Sequence, residues 1–206
     1  MEPRSRILLV IFFGGKGAGM VEMTQLGLPV PPGFILTTQV CAQFYKNKKS
    51  YPPGLEFQVA EALKKVESAL KISRLGDAQS PLLLSVRSGA KASMPGMMDT
   101  VLNLGMNDQT VEGLRRQSGD ARFAYDSYRR FIQMYSNVVL GTNLHPFEEV
   151  LTQYKAVRKV VEDADLSAED LAEVIQGNVK KMTGREFPQD VQEQLWGPSG
   201  LFWAAG

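Results

Sequence analysis

Residues 85–105 read SVRSGAKASMPGMMDTVLNLG, and this run constrains the fold more than any other part of the chain. The apolar stretch 82–86 predicts a buried strand at 81–86, which leads into Arg87 and is followed by small residues. Arg87 and Lys91 are cations, and no acidic residue occurs from position 81 to Met98. Small side chains expose backbone N–H groups, and a guanidinium offers a planar fork to phosphate oxygens. The run therefore predicts a surface that lets a polyanion approach the backbone.

The composition limits the partners and the compartment. The chain has 206 residues and an ordinary apolar fraction of 44%, which allows one large domain or two small ones. A formal net charge of +1 argues against nucleic acid or a membrane surface as a partner. The single cysteine, Cys41, excludes an intramolecular disulfide, and we predict it to be a small buried residue on a helix. We expect a reducing compartment, cytoplasmic or organellar, and no secretion.

Hydrophobic periodicity predicts an α/β portion followed by a helical portion, with the change near residue 106. The apolar run 7–13 reads better as a buried strand than as a weak secretory segment, and 34–38 reads as a second strand. A glycine cluster at 14–19 precedes a short helix that Gly27 stops. Further helices are predicted at 38–45, 55–70, 110–117, 122–140, 146–160, 168–182 and 189–196.

Some helical residues invite a functional interpretation, but packing explains them better. The apolar stripe of the helix 122–140 is predicted to be core, and Asp126 is expected to pair with Arg129 or Arg130 on its outer face. Ser167 and Asp170 form a predicted capping box. An acidic group could suggest a magnesium site, but we interpret it as a solvated helix face; its members are Glu162, Asp163, Asp165, Glu169, Asp170 and Glu173.

Lys16 lies in the segment GGKGAG, where glycines on both sides let the backbone approach a ligand. This is not a Walker A loop, because Gly17 rather than Ser or Thr follows the lysine. It does not match GxGxxG either. The pattern alone therefore leaves two interpretations open, a phosphate contact and a solvated loop lysine.

Long, ungapped motifs of this chain resemble the pyruvate phosphate dikinase family of phosphoenolpyruvate-utilising enzymes. They are the run at 85–105, GGKGAGMVEMTQLGLPVPPGFILTT at 14–38, RFAYDSYRRFIQMYSNVVLG at 122–141 and TGREFPQDVQEQLWG at 183–197. Together they reach across most of the chain, from residue 14 to residue 197. The resemblance implies ATP as ligand and conversion of ATP, phosphate and pyruvate to AMP, pyrophosphate and phosphoenolpyruvate. In that family a phosphohistidine on a separate domain carries the phosphoryl group.

The resemblance also implies a fold and a domain division. We expect an α/β (α+β) ATP-grasp-like N-terminal lobe with an inserted helical subdomain, which makes an incomplete ATP-grasp domain. The expected parts are 1–105 for nucleotide binding, 106–197 for the helical subdomain and 198–206 for a divergent apolar tail. The remaining domains of the full-length enzyme are expected partners, and a homo-oligomer is a further expectation.

By the same resemblance, Arg87 and Lys16 contact ATP phosphates and Met98 lies against the adenine ring. Ser88, Gly89 and Lys91 complete the expected ATP-binding set, although Lys91 stands where the family usually has arginine and loses bidentate geometry. The resemblance implies Mg²⁺ ligands beyond this chain, so no metal-binding residue is assigned here.

The only histidine, His145, is not in a context like that of the phosphohistidine, and we predict an ordinary residue at a helix start. We therefore interpret the chain as an ATP-binding fragment that does not catalyse the full reaction alone. Two alternatives remain: a fragment of phosphoenolpyruvate synthase, a water dikinase, and a truncated non-catalytic interaction module.

Overall fold

The computed structural model describes residues 15–71, 73–87 and 100–197, with backbone alone at 15–18, 38 and 41. Within these ranges it is a mixed helix and strand structure with small sheets, which fits an α/β domain. The helices are α1 Gly15–Gln25, α2 Thr38–Lys46, α3 Leu55–Leu70, α4 Thr110–Ser118, α5 Ala121–Val138, α6 His145–Arg158, α7 Ala168–Thr183 and α8 Val191–Trp196. The strands are β1 Arg74–Leu75, β2 Pro81–Leu82, β3 Leu84–Arg87 and β4 Thr100–Leu104. None of the described helices is long and apolar enough to cross a membrane.

Helix positions follow the sequence pattern closely. The prediction for α3 is confirmed at both ends, and those for α4, α5 and α6 agree within about two residues. The predicted capping box of α7 is confirmed, because Ser167 Oγ accepts from the Asp170 N–H and Asp170 Oδ2 accepts from the Ser167 N–H. Gly27 ends α1 as predicted: it has a φ of 77°, and the Leu28 N–H donates to the Met23 carbonyl.

Three local predictions were wrong. The glycine cluster at 14–19 is not a loop throughout, because α1 already begins at Gly15. The segment 34–37 is not a strand; a strand needs a neighbour for its hydrogen bonds, and no such partner occurs among the described residues. The single strand predicted at 81–86 is divided at Leu83, because β2 pairs in parallel with β1 whereas β3 pairs with β4.

The described chain divides into two compact units. The first unit contains residues 15–71 together with Arg87, and the second contains 73–86 and 100–197. The second unit is built around α5, whose inward face buries Tyr128, Phe131, Ile132 and Tyr135 against α4, α7 and β4. This confirms that the aromatic stripe is core. The domain boundary near residue 106 stays a prediction.

The first unit has a smaller set of buried side chains. Leu55, Val59, Leu63 and Val66 form the buried face of α3, spaced as a helix requires. Phe44 of α2 is also buried, with its ring centroid 5.2 Å from that of Tyr51. This unit therefore consists of short helices around one apolar stripe.

Candidate functional site

Arg87 is the last residue of β3, as the sequence predicted for the end of the buried strand. Alternation along β3 buries Val86 and leaves Ser85 and Arg87 exposed on the other face. No described residue forms an ion pair with the Arg87 guanidinium. The strand thus presents a planar, permanently charged group, whose geometry suits a phosphate or carboxylate.

The strand β3 is held by a well-packed neighbour. It pairs with β4, whose Val101 and Leu104 are fully buried against the α5 region. The Leu102 N–H donates to Met134 Sδ of α5 at 3.2 Å. The strand β3, which ends at Arg87, therefore pairs with a strand that packs on α5.

Gly105, immediately after β4, permits a close approach that other residues could not. Its φ is 107°, and a Cβ there would lie 2.8 Å from Leu75 Cδ1 and 2.9 Å from the Leu82 carbonyl oxygen. The end of β4 therefore packs directly on β1 and β2, which bridges the two small sheets. A side chain at position 105 would push these strands apart.

The segment 187–197 is fastened to the turn after β4 by buried polar side chains. Gln194 is fully buried; its Oε1 accepts from the Gly105 N–H at 3.0 Å, and its Nε2 donates to the carbonyls of Met106 and Pro188 at 2.8 Å each. The Gln189 carbonyl accepts from Asn107 Nδ2 at 2.9 Å. Two of the motifs that carry the family resemblance thus meet here.

A second hydrogen-bond network extends this fastening to α5. The Tyr128 hydroxyl donates to Asp108 Oδ1 at 2.9 Å and accepts from Gln189 Nε2 at 3.1 Å. Gln189 Oε1 also accepts from the Asp108 N–H at 2.9 Å. Burial, together with the Asp108 charge, raises the pKa of Tyr128, although the Gln189 hydrogen bond opposes this. The phenol therefore stays protonated and serves as a structural donor.

Lys16 is the second residue of α1, so it lies in the first turn of a helix rather than in a free loop. This corrects the loop interpretation, and the physical reason is that the glycines at 15, 17 and 19 are accommodated within the helix. The backbone N–H groups of a first helical turn lack intrahelical partners, and the helix dipole favours an anion there. Lys16 and Arg87 belong to the same compact unit.

The other predicted ATP-binding residues, Ser88, Gly89, Lys91 and Met98, lie outside the described residues. The run 7–13 and the tail 198–206 also lie outside them. Of the predicted set, the structure therefore positions Arg87 with its side chain and Lys16 by its backbone. The assignment of all six residues to ATP stays a prediction.

The charges around α5 differ from the expectation in one respect. Asp126 pairs with both arginines, Arg129 at 2.7 Å and Arg130 at 2.8 Å, but Arg129 is buried rather than on the outer face. Burial pushes the pKa of Asp126 upward, yet the hydrogen bonds and charges of these arginines outweigh it and lower the pKa. The pair is therefore part of the interior of the second unit.

The acidic group at 162–173 is only partly a solvated face. Asp163 pairs with Lys155 at 2.8 Å, and Asp170 is buried and pairs with Arg158. The pKa of Asp170 lies below its ordinary value, because its hydrogen bonds with Ser167 and Arg158 outweigh its burial. These carboxylates thus have structural partners. Across 15–71, 73–87 and 100–197, no group of three or more His, Cys, Asp or Glu side chains could hold a metal ion.

His145 is the first residue of α6, as predicted, and its exposed side chain lies 3.3 Å from Glu149. Cys41 lies in α2, but its side chain is outside the described residues.

Sequence reasoning missed Gln194. The helix at 189–196 was predicted, but no role was given to its glutamine. A signal was present, because Gln194 is three residues after Val191 and next to Leu195, on the face that a helix this short turns inward. A polar residue on an apolar face is informative, since glutamine is seldom fully buried without partners.

Comparison with known proteins agrees with the motifs. Residues 10–73 match the family described as "Pyruvate phosphate dikinase, AMP/ATP-binding domain". A nucleotide-binding domain is therefore the class of protein to which this part of the chain is related.

Full-length relatives extend the match beyond residue 73. The chain is 51% identical to pyruvate, phosphate dikinase of Rhizobium meliloti (strain 1021), over 99% of this chain and 22% of that protein. It is 48% identical to the Clostridium symbiosum enzyme, over 89% of this chain and 21% of the relative. It is 51% identical to the chloroplastic pyruvate, phosphate dikinase of Flaveria trinervia, over 88% of this chain and 19% of the relative.

These matches confirm the resemblance: the chain is related to the pyruvate phosphate dikinase family. It spans about one fifth of the length of the curated relatives it matches. The Arg87 strand lies after the domain match at 10–73 but within the length that the alignment with the Rhizobium relative covers.

Proposed function

We propose that this chain supplies the ATP-binding part of a pyruvate phosphate dikinase, with an ATP-grasp-like nucleotide lobe. The proposed parent reaction converts ATP, phosphate and pyruvate to AMP, pyrophosphate and phosphoenolpyruvate through a phosphohistidine. The observation that carries the proposal is the exposed Arg87 guanidinium at the end of β3, in the same unit as the first turn of α1. That turn lies in the part of the chain, 10–73, that matches a family of AMP/ATP-binding domains.

The proposed role of each residue follows from its chemistry. Arg87 binds phosphate oxygens through its fork of N–H donors, and Lys16 adds a point charge at a helix N-terminus. Ser88, Gly89 and Lys91 extend the phosphate contacts, and Met98 packs against adenine. Phosphoryl transfer depends mainly on positioning and charge neutralisation, so these residues hold and orient ATP.

Magnesium is expected with ATP in such a reaction, where it neutralises phosphate charge. The described residues offer no ligand group that fits it, so the proposal assigns this chain no metal ligand and no metal-dependent step. His145 receives no carrier role, because its sequence context does not resemble that of the family's phosphohistidine. The remaining domains of a full-length enzyme are the proposed partners, and the single cysteine still favours a reducing compartment.

Titration calorimetry with ATP in the presence of Mg²⁺ tests the proposal. The chain should bind saturably, and Arg87→Ala should raise the Kd about 10- to 100-fold, as expected for a lost charged hydrogen bond to phosphate. Arg87→Lys should lose part of the affinity, because the charge remains but the bidentate fork does not.

Arg74→Ala is the matched control, because Arg74 is an exposed arginine on another strand, β1. Equal weakening by Arg74→Ala and Arg87→Ala would show a nonspecific charge effect and refute the assignment. Size-exclusion mass measured without ATP addresses the interaction-module alternative. A stable dimer that neither binds ATP nor responds to Arg87→Ala would favour that alternative.

A further inference from the structure

The segment LNLGMND at 102–108 and the segment FPQDVQEQLWG at 187–197 meet at the C-terminal end of β4. Four hydrogen bonds join them: Gln194 accepts one and donates one, and Gln189 accepts two. The runs 85–105, which ends at Gly105, and 183–197 carry the family resemblance, and the proposed ATP-binding role uses no residue of the second run. Their junction therefore calls for a separate explanation.

We propose that Gln194 is a positioning residue for Arg87. It holds the turn that ends β4 and, through the pairing of β4 with β3, the strand end from which Arg87 projects. The effect of Gln194 on the position of β3 and β4 does not depend on what the chain binds. The effect of Gln194 on ATP affinity rests on the proposed function.

The Gln194 amide makes three hydrogen bonds, all of them to backbone groups. Its oxygen accepts from one N–H, and its two N–H groups donate to two carbonyls, all at 2.8–3.0 Å. A fully buried amide is costly unless such partners are present, and each lost partner leaves a buried backbone group unsatisfied. Packing alone would be served by an apolar residue, so the glutamine matters for the backbone it fixes.

The connection from Gln194 to Arg87 runs through the turn after β4 and the paired strands β4 and β3. Gly105, which donates to Gln194, directly follows Leu104, the last residue of β4. Its positive φ and its contact with the Leu82 carbonyl fix where β4 ends against β2. β3 begins two residues after Leu82 and pairs with β4. A shift of the Gly105 turn therefore moves the strand pair that leads to Arg87.

Amide hydrogen exchange tests the positioning without ATP. Gln194→Met keeps an unbranched side chain of similar length but removes the three hydrogen bonds. We expect exchange of the β3 and β4 amides, including that of Arg87, to rise by about tenfold or more relative to the α7 amides, as local opening becomes easier. Val174→Ala is the control, because Val174 is fully buried on α7 and its truncation destabilises the same unit without removing a hydrogen bond to the turn after β4.

The expected result for Val174→Ala is increased exchange in α7 or throughout the unit, with no preference for β3 and β4. Unchanged exchange at β3 in Gln194→Met would overturn the proposal, as would the same proportional increase in both variants. If Gln194→Met does not fold, Gln194→Asn replaces it. The shorter amide cannot span all three partners, so the same preference for β3 and β4 is required of it.

The second readout is ATP affinity, measured on variants shown to be folded by circular dichroism. Gln194→Met should raise the Kd about three- to tenfold, less than Arg87→Ala, because the guanidinium is displaced rather than removed. Val174→Ala should change the Kd less than about twofold. Wild-type binding that weakens with Arg87→Ala but not with Gln194→Met would overturn the consequence for ATP alone. Absence of ATP binding by the wild type would instead refute the proposed function, and the exchange measurement would still decide the positioning.

Discussion

The two compact units differ in the extent of their apolar cores and in how their helices are capped. In the second unit, α5 places a continuous aromatic and aliphatic face against α4, α7 and β4, and its described helices include three with side-chain N-caps, at Asp120, Ser167 and Asp190. In the first unit, the buried apolar side chains among the described residues are Phe44 and the four of α3, and neither α2 nor α3 has a side-chain N-cap. Large apolar side chains are exposed in both units, for example Phe57 in the first and Val161 in the second.

The second unit has the larger set of buried apolar side chains among the described residues. The first unit contains Lys16 and Arg87, the two described residues that we propose to bind phosphate. We infer that substitutions in the second unit change stability strongly, whereas the first unit tolerates similar changes at its surface.

The largest contrast is expected between two phenylalanines. Phe131 is fully buried, with ring centroids 5.6 Å from Tyr135 and 5.5 Å from Phe187. Phe131→Ala should lower the free energy of unfolding by about 3–5 kcal/mol, because a large cavity opens in a packed core. Phe57→Ala removes a ring that is 71% exposed, and it should change the free energy of unfolding by less than about 0.5 kcal/mol. Urea unfolding followed by circular dichroism measures both, and similar losses would contradict the contrast between the units.

A smaller effect is expected where the two sheets meet. Gly105→Ala combines a positive φ with contacts under 3 Å, so we expect a loss of about 2–4 kcal/mol in unfolding free energy. Gly119→Ala is the control, since Gly119 has a φ of 68° but open space around it and should cost about 1 kcal/mol from strain alone. Equal losses in thermal or urea unfolding would show that the approach to Leu75 and Leu82 is not tight.

The buried ion pair of α5 should give a pH-dependent effect. Asp126→Asn should cost about 2 kcal/mol at pH 7, because charge-assisted hydrogen bonds to Arg129 and Arg130 are weakened. The pKa of Asp126 is lowered in the folded state, so its contribution is full above its ordinary value of 3.8 and is lost as the pH falls from there through the folded value. Wild type and variant should therefore converge in stability at low pH.

Glu61→Gln provides the contrast from the first unit. Glu61 and Lys64 also form an (i,i+3) pair, at 2.8 Å, but both side chains are exposed. The hydrogen bond and charge of Lys64 lower the pKa of Glu61, yet solvent screens such a pair. We expect the pH dependence of unfolding to match that of wild type. A change as large as that of Asp126→Asn would mean that the exposed pair is structurally coupled.

Sequence reasoning was accurate where local patterns decide the structure. The apolar spacing of α3 and the Ser167–Asp170 capping box depend on residues within a few positions of each other, so they could be read directly. The strand expected at 34–38 failed because a strand depends on a distant partner. Leu83 divides the next strand for the same reason, since β2 and β3 pair with different neighbours.

The candidate site shows the same limit. An apolar run that ends at an arginine predicts the position of Arg87, and the structure agrees. The contact between Gln194 and Gly105 joins residues 89 positions apart, and no local pattern specifies which turn a glutamine will reach. The burial of Arg129 was missed because (i,i+3) spacing predicts a partner but not the helix face that another element covers.

The smallest expected effect concerns a single helix cap in the second unit. Ser167→Ala removes the hydroxyl that accepts from the Asp170 N–H at 3.2 Å, and we expect a loss of about 1 kcal/mol in unfolding free energy. Gln109→Ala is the matched control, because Gln109 is the exposed N-cap of α4 and makes no side-chain cap hydrogen bond. The free energy of unfolding of Gln109→Ala should lie within about 0.3 kcal/mol of the wild-type value, since no hydrogen bond is lost. Equal effects in urea unfolding would mean that caps do not contribute to the stability of the second unit, and its advantage over the first unit would then come from core packing alone.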